Sequence, residues 1–354
     1  MRNRIIDSLK AVLPIMLIIV FITAAMLKGP GDNKPAELSD EYPMTIDAFL
    51  LDTFCSITVY EGGGREALLK AENELLKYDN LLNPSKEGSD IYRINHREDS
   101  KVEISEKTMK MLKKIIPIDK TSGGDLNTAI KPLTQIWDFK EKQEIPDKAL
   151  IEDAVSKIKL DAWTVSEEDD KYYFEALDEN VMIDAGSYAK GFIADEIKLF
   201  LKECSVSSAI VNLGGNIQCL GKRPDGNPFI IGLREPEKGS EKYLKKLDIE
   251  DESVVTAGIY ERYFEKDGVH YHHILNPFTG YPVQNELAAV TVVGPDSMYC
   301  DALSTALFIK GRDEGEKYLK IFNESTGNSQ YKAFFIDKEN KISYAEGADQ
   351  LVHN

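Results

Sequence analysis

The segment that most limits how this chain can fold is an uncharged run near its N-terminus. Residues 11–27 read AVLPIMLIIVFITAAML, with Arg2, Arg4 and Lys10 before the run and Lys28 after it. These seventeen residues would form an α-helix about 25 Å long, close to the thickness of a bilayer's hydrocarbon core. The run predicts a single transmembrane anchor, with a cleaved secretory signal peptide as the alternative.

The charges that flank this run predict where the rest of the chain lies. Positive flanks stay on the cytoplasmic side, so residues 1–10 are predicted to be cytoplasmic and everything after the run extracytoplasmic. Residues 28–42 are rich in Gly, Pro and acidic groups and are predicted to be a linker. Residues 43–348 are then the folded body, held at the cell membrane.

Composition excludes two classes of function for that body. The 60 Asp and Glu residues outnumber the 43 Lys and Arg residues, which gives a formal net charge of -17. Such a field repels phosphate backbones, so no nucleic-acid partner is expected. The four cysteines contain no CxxC pair and have no histidine close in sequence, so no zinc site is expected. They are interpreted as small buried residues, although an extracytoplasmic location permits one disulfide.

The order of secondary-structure signals predicts an α+β fold, as a single mixed α/β domain. Strand-like and helical segments are mixed without the strict alternation of a doubly wound sheet. Helices are predicted at 65–82, 105–117 (with Ser105 as N-cap), 188–203, 297–310 and 313–323, and strands at 53–60, 172–176, 181–184, 208–213, 228–233, 270–275, 288–293, 331–336 and 341–345. Segments 172–176 and 181–184 are predicted to pair as a hairpin, and the acidic residues 234–253 to be a solvated loop or short helix.

Three glycine-bearing turns are candidate ligand contacts. They are residues 122–127 (SGGDLN), 184–191 (DAGSYAKG) and 212–216 (NLGGN). The second turn runs into a predicted helix, whose free backbone N–H groups and positive dipole end favour a phosphate, and Lys190 adds a charge there. Each turn alone is equally typical of a helix start or a tight turn, so the spacing leaves both interpretations open.

A histidine-rich strand and turn provide a candidate general base. Residues 270–282 (HYHHILNPFTGYP) contain three of the five histidines. Alternation along a strand places His270 and His272 on one face and His273 with Tyr271 on the other. His273, next to the turn, is suited to be a general base, whereas His270 and His272 are either a metal pair or exposed strand residues.

Asp301 and Thr305 lie four residues apart on a predicted helix and therefore share one face. Carboxylate and hydroxyl oxygens are hard ligands, and two of them suffice for a Mg²⁺ ion that also takes phosphate oxygens and water. The alternative is that Asp301 caps the helix and Thr305 bonds back to the preceding turn.

In this order, these segments resemble the ApbE family of FAD:protein FMN transferases over about residues 44–345. The family blocks SGGAFDPTVGPL, DLGxxAKG and NLGGD resemble residues 122–133, 184–191 and 212–216. The other blocks, an MGT-like strand start, a serine-led helix start ending in RxN, TSGDYERYF, HIxDPxTGyP and DAxxTA, resemble residues 51–53, 89–95, 256–264, 273–282 and 301–306. Each block alone is a weak signal, whereas eight blocks in the family's order are specific.

The resemblance implies Mg²⁺-dependent transfer of FMN from FAD to a Thr or Ser hydroxyl of a target protein, with release of AMP. The target is expected to be an extracytoplasmic protein, such as a subunit of a redox complex. By matching position, the resemblance assigns Mg²⁺ to Asp301, Thr305 and the Ser187 carbonyl, the flavin nucleotide to Leu51, Asp125, Leu126, Asn127, Lys190 and Gly258, and catalysis to His273. Because His273 acts as a base only when neutral, activity is expected to rise with pH between about pH 5.5 and 8.

Several family positions are changed in this chain, mainly in the expected nucleotide pocket. Asn127, Thr128 and Ala129 replace Asp, Pro and Thr, Ala257 and Ile259 replace Ser and Asp, Asn276 replaces Asp, and Leu51-Asp52 replaces Met-Gly. Asp301, Thr305, Lys190 and His273 are retained. Three alternatives therefore stay open: a Mg²⁺-dependent FAD pyrophosphatase that yields FMN and AMP, a non-catalytic flavin-binding protein, and a structural anchored module.

Overall fold

An eight-stranded sheet forms the centre of the structure, a computed structural model that describes residues 41–237, 239–327 and 330–353. The strands are β1 (Met44–Leu50), β2 (Thr53–Gly62), β3 (Lys101–Ile104), β4 (Trp163–Glu168), β5 (Lys171–Ala176), β6 (Val206–Leu213), β7 (Asn216–Leu220), β8 (Phe229–Arg234), β9 (Tyr243–Ile249), β10 (Ser253–Gly258), β11 (Tyr263–Lys266), β12 (Val269–His272), β13 (Leu287–Gly294), β14 (Lys332–Asp337) and β15 (Ile342–Ala345). The helices are α1 (Gly64–Leu82), α2 (Asp90–Asn95), α3 (Glu106–Thr121), α4 (Lys131–Trp137), α5 (Lys148–Ser156), α6 (Ala189–Glu203), α7 (Ser297–Lys310) and α8 (Arg312–Ser325).

The central sheet is antiparallel throughout, with the strand order β1-β2-β6-β7-β10-β13-β14-β15. Helices α1, α6 and α7 pack on one face, over the largest hydrophobic cluster. The β8–β9 hairpin covers part of the other face, where Phe229 and Leu247 pack with alternate residues of β13 and β14. All eight residues of β13 are buried because both of its faces are covered, which explains its nearly continuous apolar sequence.

Local signals account for the helix bounds that the sequence predicted. Helix α3 begins after Ser105, whose hydroxyl accepts a hydrogen bond from the Thr108 amide at 3.1 Å, as expected of an N-cap. The helix continues past the predicted end at residue 117 because Ile118 and Asp119 are buried against the core. Strands mixed with helices in this arrangement confirm the predicted α+β fold.

A smaller cluster beside the sheet holds the turn at residues 276–282. Leu133 and Trp137 of α4 pack there with α5 and with Phe264 of the β11–β12 hairpin. The Trp137 indole N–H donates to the Gly280 carbonyl at 2.8 Å, which fixes the turn against α4.

Three of the secondary-structure predictions are wrong in their details. β5 pairs with β4 and β3 rather than with residues 181–184, which are not a strand, because the Asn95 side chain supplies both partners of the Ile183 backbone at 2.8 Å. The acidic stretch 234–253 is not a loop throughout, since it contains β9, whose Leu247 and Ile249 are buried. The strand predicted at 270–275 ends at His272.

The structure does not cover the predicted anchor. Residues 11–27 and most of the predicted linker lie outside the described residues. Within residues 41–237, 239–327 and 330–353, none of the helices has both the length and the apolar character needed to cross a bilayer. The packed body reaches beyond residue 348, because Val352 bridges to Leu247 of β9.

Candidate functional site

The turn before helix α6 is shaped by Asp184. One carboxylate oxygen, Oδ1, accepts from the Gly186 amide at 2.9 Å, and the other accepts from the Thr134 hydroxyl at 2.7 Å. Helix α6 begins at Ala189, whose amide donates to the Ala185 carbonyl at 2.8 Å, and the Tyr188 side chain before it makes no capping hydrogen bond. The positive dipole end of this helix favours an anion. Lys190 Nζ lies 3.2 Å from the Gly186 carbonyl oxygen, so the ammonium group stands over the same turn.

A close contact between α6 and α7 places Asp301 beside this turn. The Gly191 amide donates to Asp301 Oδ2 at 3.0 Å. A Cβ at residue 191 would lie 2.3 Å from the Ser297 carbonyl oxygen, so only glycine permits this approach. Asp301 is 6% exposed, and no hydrogen bond to its Oδ1 is found among the residues that the structure describes.

Thr305 is placed one turn after Asp301 on a helix that is otherwise almost entirely buried, and it is partly exposed. The helix cap is Asp296, which accepts from the Tyr299 amide at 2.9 Å, so Asp301 is not used for capping. The Asp301 carbonyl accepts a side-chain hydrogen bond from Ser304 rather than from Thr305. Asp301 therefore does not cap its own helix, although its carboxylate accepts from the third amide of α6.

His273 follows β12 and is held by its backbone, whose amide donates to the Arg262 carbonyl at 3.1 Å. Its Nδ1 is buried without a hydrogen-bond partner among the described residues. Burial, together with the charges of Arg262 and Lys190, lowers the pKa of His273 to about 4, against the opposing effects of the Arg262 backbone hydrogen bond and of Asp184. His273 is therefore within electrostatic range of both Lys190 and Asp184. The pH range expected from the sequence, 5.5 to 8, is corrected downward because the ring is already neutral there.

His270 and His272 share a face as predicted, with ring centres 6.0 Å apart. His272 bonds through Nε2 to the Val283 carbonyl at 2.8 Å and through Nδ1 to the Ile274 amide, so both nitrogens are used. His270 bonds through Nε2 to the Ile259 carbonyl at 3.1 Å. These contacts favour structural roles over the metal pair.

The turn at residues 122–127 is braced from several sides. The Ser122 hydroxyl bonds within the turn, and Asn127 Oδ1 accepts from the Ala129 amide at 2.9 Å. Leu126 and Asn127 are buried, and Asp125 pairs with Lys310 of α7. The Asp184 amide donates to the Thr128 carbonyl at 2.9 Å, which joins this turn to the one before α6.

The tip of the β1–β2 hairpin approaches the same region. Leu51, in the left-handed conformation with φ 55°, donates its amide to Asp79 Oδ1 at 2.8 Å. Burial raises the pKa of the neighbouring Cys55 thiol to about 11, and Asp79 and Lys190 act on it with opposite signs. Gly214 of the 212–216 turn packs against Thr53, leaving no room for a Cβ.

The structure thus brings most of the predicted site residues together. The start of α6, which follows Ser187 and carries Lys190, lies beside Asp301 of α7, and Thr305 is one turn further along α7. His273 is within electrostatic range of Lys190. Gly258 ends β10, where it pairs with Ala289 and lies against the Tyr260 ring.

Sequence reasoning missed the residues that hold these turns in place. Asp184 stood within a recognised block, and its position two residues before Gly186 is a signal for a side-chain turn. Asp79 and Lys310 have no local signal, because they act on segments distant in sequence.

The donors around Asp301 fit a hard divalent cation. They are one carboxylate, the Thr305 hydroxyl and the Ser187 carbonyl, all oxygen ligands. The described residues contain no cluster of three His, Cys, Asp or Glu side chains, as a transition-metal site would require. This set is small, which suits Mg²⁺, an ion that keeps waters and takes ligand phosphates.

The ApbE family model matches residues 51–327. The FAD:protein FMN transferase of Klebsiella pneumoniae (strain 342) is 32% identical over 281 residues, which cover 78% of this chain and 86% of the relative. The FAD:protein FMN transferase of Haemophilus influenzae is 30% identical over 257 residues, covering 70% of this chain and 72% of the relative.

Solved structures show the same fold. The ApbE protein of Thermotoga maritima superposes with a TM-score of 0.78 at 24% identity, covering 88% of this chain and 99% of that one. The flavin transferase ApbE of Vibrio cholerae gives a TM-score of 0.75 at 20% identity, covering 87% and 98%. The resemblance noted in the sequence is confirmed, and the chain belongs to the ApbE family.

Proposed function

We propose that this protein transfers FMN from FAD to a Thr or Ser hydroxyl of another protein and releases AMP. The observation that carries the proposal is the hydrogen bond between the Gly191 amide and Asp301 at 3.0 Å. It sets Asp301, with Thr305 one turn further along α7, beside the N-terminus of α6, where a diphosphate would bind. Relatives at 30% identity or above are named for this activity.

The chain's own residues supply binding and orientation of the diphosphate. The positive dipole end of α6 and the Lys190 ammonium would attract its oxygens and neutralise part of their charge. Asp301, Thr305 and the Ser187 carbonyl would hold Mg²⁺. When bound, Mg²⁺ supplies charge neutralisation on the diphosphate and on the AMP leaving group.

His273 is proposed to accept the proton of the attacking hydroxyl. Its low pKa keeps the ring neutral at neutral pH, so it can accept a proton without first losing one. The buried Nδ1 without a partner among described residues marks a ring that is not used by the fold's own hydrogen bonds. Once His273 has taken this proton, the hydroxyl oxygen is free to attack phosphorus.

The flavin side is proposed to lie against Leu51, Asp125, Leu126, Asn127 and Gly258. Leu51 lies in the β1–β2 turn, which a hydrogen bond to Asp79 fixes. Asp125, Leu126 and Asn127 lie in the 122–127 turn, which the bond between Asn127 and the Ala129 amide fixes. Fixed backbone turns reduce the ordering cost of binding a large ligand.

We also propose that the protein works outside the cytoplasm, held at the cell membrane by residues 11–27. The acceptor is then an extracytoplasmic protein, with a redox-complex subunit as the expected class. The uncharged run and its basic flank support this location. Protease added to intact cells stripped of their wall should digest the body, and a protected body would contradict the location.

A flavin gel tests the activity. Membranes are prepared from host cells that express either the wild type or Asp301→Ala and are incubated with FAD and Mg²⁺. The proteins are then denatured, separated on a gel and imaged for flavin fluorescence. A fluorescent band present only with the wild type supports transfer. Free FMN without a band would favour the pyrophosphatase, and FAD bound unchanged would favour a non-catalytic binding protein.

A further inference from the structure

Lys310, the last residue of α7, is held in a manner unlike a surface lysine. Its Nζ lies 2.5 Å from Asp125 Oδ2 and 2.8 Å from the Ser122 carbonyl oxygen. It also lies 5.0 Å from the centre of the Tyr318 ring, within cation–π range. The Lys310 and Asp125 side chains are only 16% and 20% exposed. The ammonium group is therefore fixed by three partners.

The three partners all fix one stretch of chain. Asp125 and Ser122 belong to the 122–127 turn, and the Tyr318 hydroxyl bonds the Thr121 hydroxyl at 3.1 Å. Tyr318 is on α8, so α7 and α8 together hold residues 121–125. The family block SGGAFDPTVGPL has Ala where this chain has Asp125, so the block does not predict this ion pair.

Lys310 makes these contacts from α7, the helix that carries the proposed metal ligands. Lys310 follows Asp301 and Thr305 on α7, and an α-helix is rigid over this length. We infer that Lys310 is a positioning residue that holds the flavin-side turn at a fixed place relative to Asp301 and Thr305. The inference rests on the proposed function, because it takes residues 125–127 as the flavin side.

Removing the ammonium group should loosen the turn without unfolding the protein. In Lys310→Met the aliphatic stem still packs, but the Asp125 carboxylate and the Ser122 carbonyl lose their common partner. A half-buried carboxylate without a counter-charge moves toward water, and the turn moves with it. FAD binding then has to restore the turn, so affinity falls while the chemistry of the bound complex is kept.

The experiment compares FAD affinity with turnover in the full chain. FAD dissociation constants are measured by flavin fluorescence without metal, and kcat for flavin transfer is measured at saturating FAD and Mg²⁺. Lys310→Met is expected to weaken FAD binding about tenfold and to change kcat less than about twofold. Lys310→Arg, which keeps the charge, is expected to restore most of the affinity.

A control lysine completes the test. Lys317→Met, which removes an exposed ion pair on α8, should bind FAD like the wild type. Unchanged FAD affinity in Lys310→Met, or affinity lost equally in Lys317→Met, would overturn the inference. A wild type that binds FAD but transfers no flavin would defeat the proposed function alone, since the affinity comparison still stands.

Discussion

At the scale of single residues, Asp301 joins structure and proposed chemistry in one side chain. One oxygen accepts from the Gly191 amide, and the other is the proposed Mg²⁺ ligand. A substitution that keeps the hydrogen bond but removes the charge can therefore separate the two roles. Asparagine does this, since its carbonyl oxygen still accepts from the amide.

Asp301→Asn is expected to reduce flavin transfer on the order of 100-fold or more, because the proposed Mg²⁺ site loses its only carboxylate. The free energy of unfolding should change by less than about 1 kcal/mol, since the contact with Gly191 is kept. Urea unfolding measures the change in stability, and the flavin gel measures the loss of transfer. Ser304→Ala, on the same helix, is the control and should transfer flavin normally; activity retained in Asp301→Asn would remove Asp301 from the metal site.

The pH profile of the reaction is predicted from His273. Its pKa is lowered to about 4, so the neutral form, which accepts a proton, predominates above about pH 5. Transfer rate should be flat between about pH 5.5 and 8 and should fall as pH drops through about 4. Initial rates measured in constant-ionic-strength buffers test this. An inflection near pH 6.5 would show a solvated ring and contradict the buried base.

At the scale of elements, the sequence predicted those with strong local signals. The Ser105 cap and the leucine spacing predicted α3 and α1, and the apolar run predicted β13. The strands β3, β7 and β11 are four or five residues long and are stabilised by their neighbours in the sheet, so their own residues give little signal. Pairing depends on distant partners such as Asn95, and no local pattern shows it.

The site residues also divide into those with a local sequence signal and those without one. Residues within motif blocks, such as Lys190 and His273, were found because the blocks keep their order along the chain. Lys310 and Asp79 were missed because each acts on a segment that only the fold brings near. The depth of His273 was missed too, and with it the correct pH range, because burial is a property of the packed structure.

The contact between α6 and α7 predicts a severe effect for one added methyl group. In Gly191→Ala the new Cβ would lie 2.3 Å from the Ser297 carbonyl oxygen, so the helices must separate. We expect a loss of about 1–3 kcal/mol in stability and a loss of flavin transfer, because Asp301 moves away from the turn before α6.

Thermal unfolding and the flavin gel measure both effects. Gly315→Ala is the matched control, a glycine in α8 whose Cβ would meet the Phe335 ring at 3.1 Å and the Leu307 carbonyl oxygen at 3.2 Å, contacts that a shift of a few tenths of an ångström relieves. Equal behaviour of the two variants would show that the approach of α6 to α7 is not what positions Asp301.

At the scale of the whole molecule, the proposed site lies where several separate packing units meet. The α6 and α7 helices belong to the layer on the central sheet, while the 276–282 turn is held by the smaller cluster around Trp137. The 122–127 turn is tied to α7 through Lys310 and to the turn before α6 through Thr128. FAD bound at such a junction should stabilise the body, because it would bind the folded chain and not the unfolded one.

The body and the N-terminal run are predicted to be separable. Deleting residues 1–40 removes no residue of any described strand or helix, since β1 begins at Met44. The truncated chain should bind FAD with a dissociation constant within about twofold of the full chain's, because every residue proposed to contact the flavin lies in the body. It should also appear in the soluble fraction, whereas the full chain should stay with membranes after carbonate extraction. A truncated chain that remains with membranes would show that the body itself binds lipid, and a full chain that is soluble and shortened would favour the cleaved signal peptide.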